Sequence, residues 1–136
     1  MTRVPIRDEP DVAIARQRAQ ALALREGFSV GRAGAVATAV SEVARNIVAH
    51  GGAGEVLLLA VHEGGRRGIV VVARDAGRGI PDVEVAMQDG YSTARGRGLG
   101  LGLSSAKRLM DEFALVSAAG EGTTVTMKKW AHEPVE

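Results

Sequence analysis

The chain has no cysteine. That excludes a disulfide framework and any thiol chemistry. With only three histidines, it also lacks the usual ligand set for a zinc site. Aromatic residues make up 3% of the 136 residues, so a core has to be built from Val, Leu, Ile and Ala. Neither sign of charge dominates: 17 Lys and Arg face 16 Asp and Glu, a net charge of +1. This gives no electrostatic case for nucleic acid or for an anionic membrane as partner. Long apolar runs are missing too. The longest, Val56–Val61, is far too short to span a bilayer. Met1-Thr2-Arg3-Val4-Pro5 carries no apolar run of the secretory kind. The expectation is a cytoplasmic protein of one domain, residues 1–136, whose 46% hydrophobic content suffices for a core.

The pattern along the chain reads as several strands and three helices. Val4–Arg7 fits a short edge strand. Asp8-Glu9-Pro10 opens a first helix that stops at Gly27, with acids and proline in the first turn. Ser29 is placed to cap a second helix, whose apolar positions Ala33, Val36, Ala37, Val40, Ala44 and Ile47 keep a 3.6-residue period. His50-Gly51-Gly52 ends it. Glu55–His62 and Gly68–Arg74 read as strands joined through Gly64-Gly65-Arg66-Arg67. Asp75–Pro81 is a loop, Val83–Gly90 one or two helical turns, and Tyr91–Arg97 a mobile segment. A third helix is expected over Leu101–Glu112. Val116–Ala119 and Thr123–Trp130 form a last hairpin, and the tail from Ala131 frays. The class is α+β: a two-layer sandwich of a mostly antiparallel mixed sheet with three helices on one face.

Three constellations carry chemistry. Glu42 and Asn46 are four residues apart, hence about 40° apart on one helix face. That face lies opposite the apolar stripe, so on spacing alone a solvated polar face is the better reading. Small neighbours at Thr38, Ala39 and Ala49 leave room for a ligand instead. An amide oxygen there suits magnesium, and a carboxylate could take a proton from a hydroxyl or water. Asp75-Ala76-Gly77-Arg78-Gly79 follows a strand. It satisfies a turn, but a carboxylate at the strand end could also accept from the exocyclic amine of adenine. Gly96-Arg97-Gly98-Leu99-Gly100-Leu101-Gly102 precedes a helix and offers backbone N–H groups to phosphate. It has neither the Lys-Ser/Thr ending of a P-loop nor the dinucleotide fingerprint. Protein-kinase catalytic-loop and Asp-Phe-Gly motifs are absent as well. A flexible hinge is the plain alternative. His50 reads as a helix C-terminal residue and Trp130 as strand packing.

In this order, the three constellations resemble the GHKL superfamily of ATP-binding domains over nearly the whole chain. Ser41-Glu42-Val43-Ala44-Arg45-Asn46-Ile47, Asp89-Gly90-Tyr91-Ser92-Thr93, Lys107-Arg108-Leu109-Met110-Asp111-Glu112-Phe113 and Glu121-Gly122-Thr123 are similar to the RsbT-type branch of serine-protein kinases. The resemblance implies a Bergerat-type ATP fold with ATP and magnesium as cofactors. Glu42 is then the catalytic base, Asn46 the magnesium ligand, and Arg45 a neighbour of the phosphates. Asp75 with Thr123 holds the adenine amine, while Gly77, Gly79 and Ile80 shape the base pocket. Arg97, Gly98, Leu99, Gly100, Leu101 and Gly102 lie along the phosphates, with Tyr91–Arg97 as lid. Implied partners are an RsbS-like STAS-domain substrate within a stressosome and a downstream PPM-type phosphatase or other regulator. One departure is that Thr93–Lys107 is longer and richer in arginine than the RsbT pattern, and either Arg95 or Arg97 could meet the γ-phosphate. The alternative within the superfamily is an anti-sigma factor kinase that sequesters a sigma factor. A detached histidine-kinase catalytic domain ranks lower, because the chain has no room for a helical hairpin carrying an acceptor histidine.

Overall fold

The computed structural model describes residues 1–77, 99–117 and 120–133, with the backbone alone at residue 51 and at residues 99–101. In chain order the elements are β1 (Thr2–Ile6), α1 (Glu9–Arg25), α2 (Val30–Asn46), a π-helical turn (Ile47–Gly51), β2 (Gly54–Glu63), β3 (Arg66–Asp75), α3 (Leu99–Leu109), β4 (Glu112–Ser117) and β5 (Thr123–Trp130). The strands form one five-stranded sheet in the order β1-β2-β3-β5-β4. Every described pairing is antiparallel, so no mixed pairing is found among them.

Register decides which face is covered. Val56 sits opposite Ala73, Leu58 opposite Val71, Val71 opposite Met127 and Ala73 opposite Val125. Side chains directly opposite share a face, and these residues are all buried in one core with the helices. From α1 come Val12, Ala15, Ala19 and Ala23, from α2 Val36, Val40 and Val43, and from α3 Leu103 and Ala106. Small and β-branched side chains let the helices lie close on the sheet, with Phe28 the aromatic member of the core cluster. Among the described residues, the α+β sandwich with three α-helices on one face is therefore what the sequence leads one to expect.

Local chemistry sets the ends of the elements. Ser29 Oγ accepts the Arg32 N–H at 3.1 Å and caps α2, a device worth about 1 kcal/mol. Asp8, just before α1, makes no side-chain cap; instead Asp11 reaches back to the Arg7 N–H at 2.9 Å. The β2–β3 turn is only Gly64-Gly65, both at positive φ (+57° and +81°), as a two-residue hairpin requires. Arg66 and Arg67 therefore belong to β3 rather than to the turn. Other boundaries differ from the sequence reading too. The third helix stops at Leu109, not Glu112, the strand after it opens at Glu112, not Val116, and Ala131 is buried, with its N–H on Arg67 O at 2.8 Å, rather than frayed. Asp111 explains the first difference: its N–H bonds Lys128 O at 2.9 Å and its carboxylate accepts the Trp130 N–H at 2.8 Å. Lys129 Nζ meanwhile caps the free Leu109 carbonyl at 2.7 Å. The readings of Val83–Gly90 and Tyr91–Arg97 lie outside the described residues.

Candidate functional site

Glu42 and Asn46 stand on the last turns of α2, and neither lies on a solvated face: Glu42 is half-buried against α3, and Asn46 is buried. Asn46 is buried at 8% exposure, and its Oδ1 has no hydrogen-bond partner among the described residues. The side opposite the apolar stripe is covered by α3. A β-carbon at Gly102 would lie 2.7 Å from Glu42 Oε2. Only glycine lets the α3 backbone come this close to the carboxylate. The other oxygen, Oε1, accepts from Arg45 Nη1 at 3.2 Å, while Arg45 Nε lies 4.0 Å from Glu9 of α1. Arg45 is thus a half-exposed rim residue that links Glu42 to α1.

The glycine run splits into two parts. Leu99, Gly100, Leu101 and Gly102 are already the first turn of α3, one half-turn earlier than the sequence suggests. Backbone N–H groups in such a turn have no intrahelical acceptor and favour anions. Gly79, Ile80, Arg97 and Gly98, with Arg95, lie outside the described residues.

Asp75 ends β3. Its Oδ1 accepts the Gly77 N–H at 2.8 Å, an Asx turn that fixes the carboxylate. Opposite it in register stands Thr123, buried at 6% exposure, and opposite Thr123 stands Ser117 of β4. Asp75, Thr123 and Ser117 thus make a polar row at the end of the apolar, helix-facing side of the sheet. The turn before β5 is held against this row. Gly122 has φ +82°, and a β-carbon there would meet Asp75 O at 2.2 Å. The π-helical turn brings the end of α2 to the same place: Ile47 Cγ2 would lie 3.0 Å from a β-carbon at Gly54, the register partner of Asp75. Such turns recur at functional sites. Together these contacts put Glu42, Asn46, Asp75, Thr123 and the α3 first turn at one end of the sandwich. A cavity of about 430 Å³ lined by Glu26, Arg66, Arg67 and His132 lies at the opposite end of β3 and shares none of these residues.

Ser117 and the π-helical turn were missed from sequence. The signal for Ser117 was present: a hairpin closing over residues 118–122 must pair 117 with 123. Nothing in Ile47–Gly51 marks a π turn.

Residues 4–129 match the family of histidine kinase-like ATPase domains. The chain belongs to that family. Among curated proteins it is 44% identical over 127 residues to the serine/threonine-protein kinase RsbT of Bacillus subtilis, covering 93% of this chain and 94% of that one. It is 33% identical over 99 residues to an anti-sigma F factor of Thermoanaerobacter, covering 70% and 68% of the two chains. In fold it is similar to the crystal structure of full-length ShkA in complex with AMPPNP, with a TM-score of 0.51 and 20% identity. The chain aligns over 91% of its own length but only 30% of ShkA. This family member is an enzyme, a protein kinase of the serine/threonine type, and ATP is its nucleotide.

Proposed function

We propose that the chain transfers the γ-phosphoryl group of magnesium ATP to a serine of a STAS-domain, RsbS-like protein, and that this transfer switches a stressosome-type regulator acting on a PPM-type phosphatase. The observation that carries the reading is the pairing, one helical turn apart, of a carboxylate packed against the α3 backbone with a buried amide oxygen that lacks a partner among the described residues. A buried acceptor is costly unless something satisfies it. Asn46 Oδ1 is a hard neutral oxygen one turn from Glu42, which packs on a phosphate-favouring helix turn, so it fits magnesium, which takes few protein ligands and completes its shell with phosphate and water. Bound there, magnesium would neutralise charge developing on the phosphates.

The remaining roles fall to the chain's own groups. Glu42 would accept the serine hydroxyl proton as that oxygen attacks phosphorus. The N–H groups of Leu99, Gly100 and Leu101 would hold phosphate oxygens, with Arg45 at the rim. Asp75 would accept from the adenine amine beside Gly77, with Thr123 at its side. Gly79, Ile80, Arg97 and Gly98 keep the roles that the family resemblance gives them. Phosphoryl transfer asks a protein chiefly for positioning and charge compensation, which this arrangement offers. Incubation with labelled ATP and a STAS-domain protein tests it. Magnesium-dependent phosphoserine on that protein is expected, and binding of ATP with no transfer to any STAS protein would overturn it.

The anti-sigma F relatives favour a second reading, in which the chain binds a sigma factor in a nucleotide-dependent way. Capture of a sigma factor in place of a STAS protein would select that reading.

A further inference from the structure

Ser117 lies outside every motif that names this site, yet it ends the polar row that begins at Asp75. Its Oγ donates to Gly122 O at 2.9 Å and lies 2.9 Å from Thr123 Oγ1. A hydroxyl has one proton and two lone pairs. Since the Ser117 proton goes to a carbonyl, which can only accept, the proton in the Ser117–Thr123 bond must be that of Thr123. The Thr123 hydroxyl is therefore turned inward as donor, and what it offers elsewhere is lone pairs. The carbonyl that sets this polarity is itself fixed, because Gly122 packs on the Asp75 backbone.

We propose that Ser117 is a positioning residue for nucleotide selectivity: it locks Thr123 as an acceptor beside the Asp75 carboxylate, so that this edge takes a base with an exocyclic amine and rejects a 6-oxo purine. The proposal rests on the reading of Asp75 and Thr123 as the base site. An ionised carboxylate and an inward-turned hydroxyl together present acceptors only. The 6-amino group of adenine has two protons, one for each acceptor of such an edge, whereas hypoxanthine brings only its N1–H and sets its 6-oxo group acceptor against acceptor. A freely rotating Thr123 hydroxyl could instead donate to the oxo group and relieve the mismatch. Discrimination by an unmatched polar group is the strong kind, because the group is left unpaired on burial.

Calorimetry of the full chain with ATP and with inosine triphosphate tests this. Ser117→Ala is expected to lower the ATP-to-ITP affinity ratio about five- to tenfold, the scale of one hydrogen bond. Ser117→Thr, which keeps a hydroxyl, restores the ratio. In a Thr123→Val background, Ser117→Ala has no further effect on the ratio, whereas a merely structural role would add its loss there too. If Ser117→Ala does not fold, Ser117→Cys, with its weak donor, carries the same expected fall. An unchanged ratio in a folded variant overturns the proposal while leaving the base site standing, provided Asp75→Asn weakens ATP binding. If Asp75→Asn binds ATP as the parent does, the base-site reading fails and this inference fails with it.

Discussion

At the scale of single residues, the site is governed by what Asn46 and Gly102 leave open. Asn46 Oδ1 has no hydrogen bond to lose among the described residues. Asn46→Ala is therefore expected to weaken ATP binding only where magnesium is present, by about tenfold, or roughly 1.4 kcal/mol. Titration with and without EDTA reads this directly, and equal weakening in both conditions would remove Asn46 from the metal. At Gly102 the room between helix and carboxylate is already used up. Gly102→Ala has good helix propensity, so it should leave α3 intact while pushing Glu42 aside. Transfer is expected to fall at least tenfold with nucleotide affinity held within a few-fold, since a misplaced reacting group costs rate steeply. Retained transfer would mean that the contact between α3 and Glu42 is incidental.

The candidate residues of this site could be picked out in the sequence, but their environment could not. Glu42, Asn46 and Asp75 stand out once their motifs are taken in order. The packing of Glu42 does not, because it depends on Gly102 of α3, sixty residues away, lying over a face that a helical wheel assigns to water. The hydroxyl row was hidden for a similar reason: it exists only once β5 is inserted between β3 and β4.

At the scale of elements, the β4–β5 turn is the joint between sheet and site. Gly122 is held at positive φ with its Cα against the Asp75 carbonyl. Gly122→Ala would add strain and a clash, together more than about 2 kcal/mol. The same change would displace Asp75 and lower ATP affinity in parallel. Chemical denaturation and calorimetry on one preparation check both, and a stable variant with normal affinity would contradict the close approach. Element boundaries were legible where the cause is local. Ser29 before a periodic run announces its helix, and Gly64-Gly65 between two apolar runs announces a turn. The end of α3 was not legible, because Asp111 and Glu112 are acceptable in a helix and are drawn out of it by Trp130, Lys128 and Arg32.

At the scale of the whole molecule, the sheet is tied together on its helix-free face by ion pairs across strands. Glu55 of β2 accepts from Arg3 of β1 and from Arg74 of β3. These two bonds, Arg3 first, hold its carboxyl below the ordinary value of 4.5. A depressed carboxyl contributes stability above that value and loses it as pH falls through the lowered one. The parent should therefore melt higher than Glu55→Gln at pH 7, and the gap should close on acidification below about 4.5. A gap independent of pH would deny the three-strand tie. Among the described residues no helix is long and apolar enough to cross a membrane. The antiparallel layering followed from apolar runs joined by short glycine-bearing turns and from the helical period of α2. The strand order did not, since it depends on a long connection from β3 to α3 whose path no local pattern encodes.

The central claim is that Glu42 acts in transfer and not in holding ATP. Glu42→Gln keeps the size of the side chain and a hydrogen-bond acceptor while removing the base. Transfer to a STAS-domain serine and ATP affinity should be measured on the same sample. Phosphoserine formation slowed by about a hundredfold or more, with ATP affinity within threefold of the parent, is the expected result. Transfer at the parent rate, or loss of ATP binding in step with loss of transfer, would contradict it.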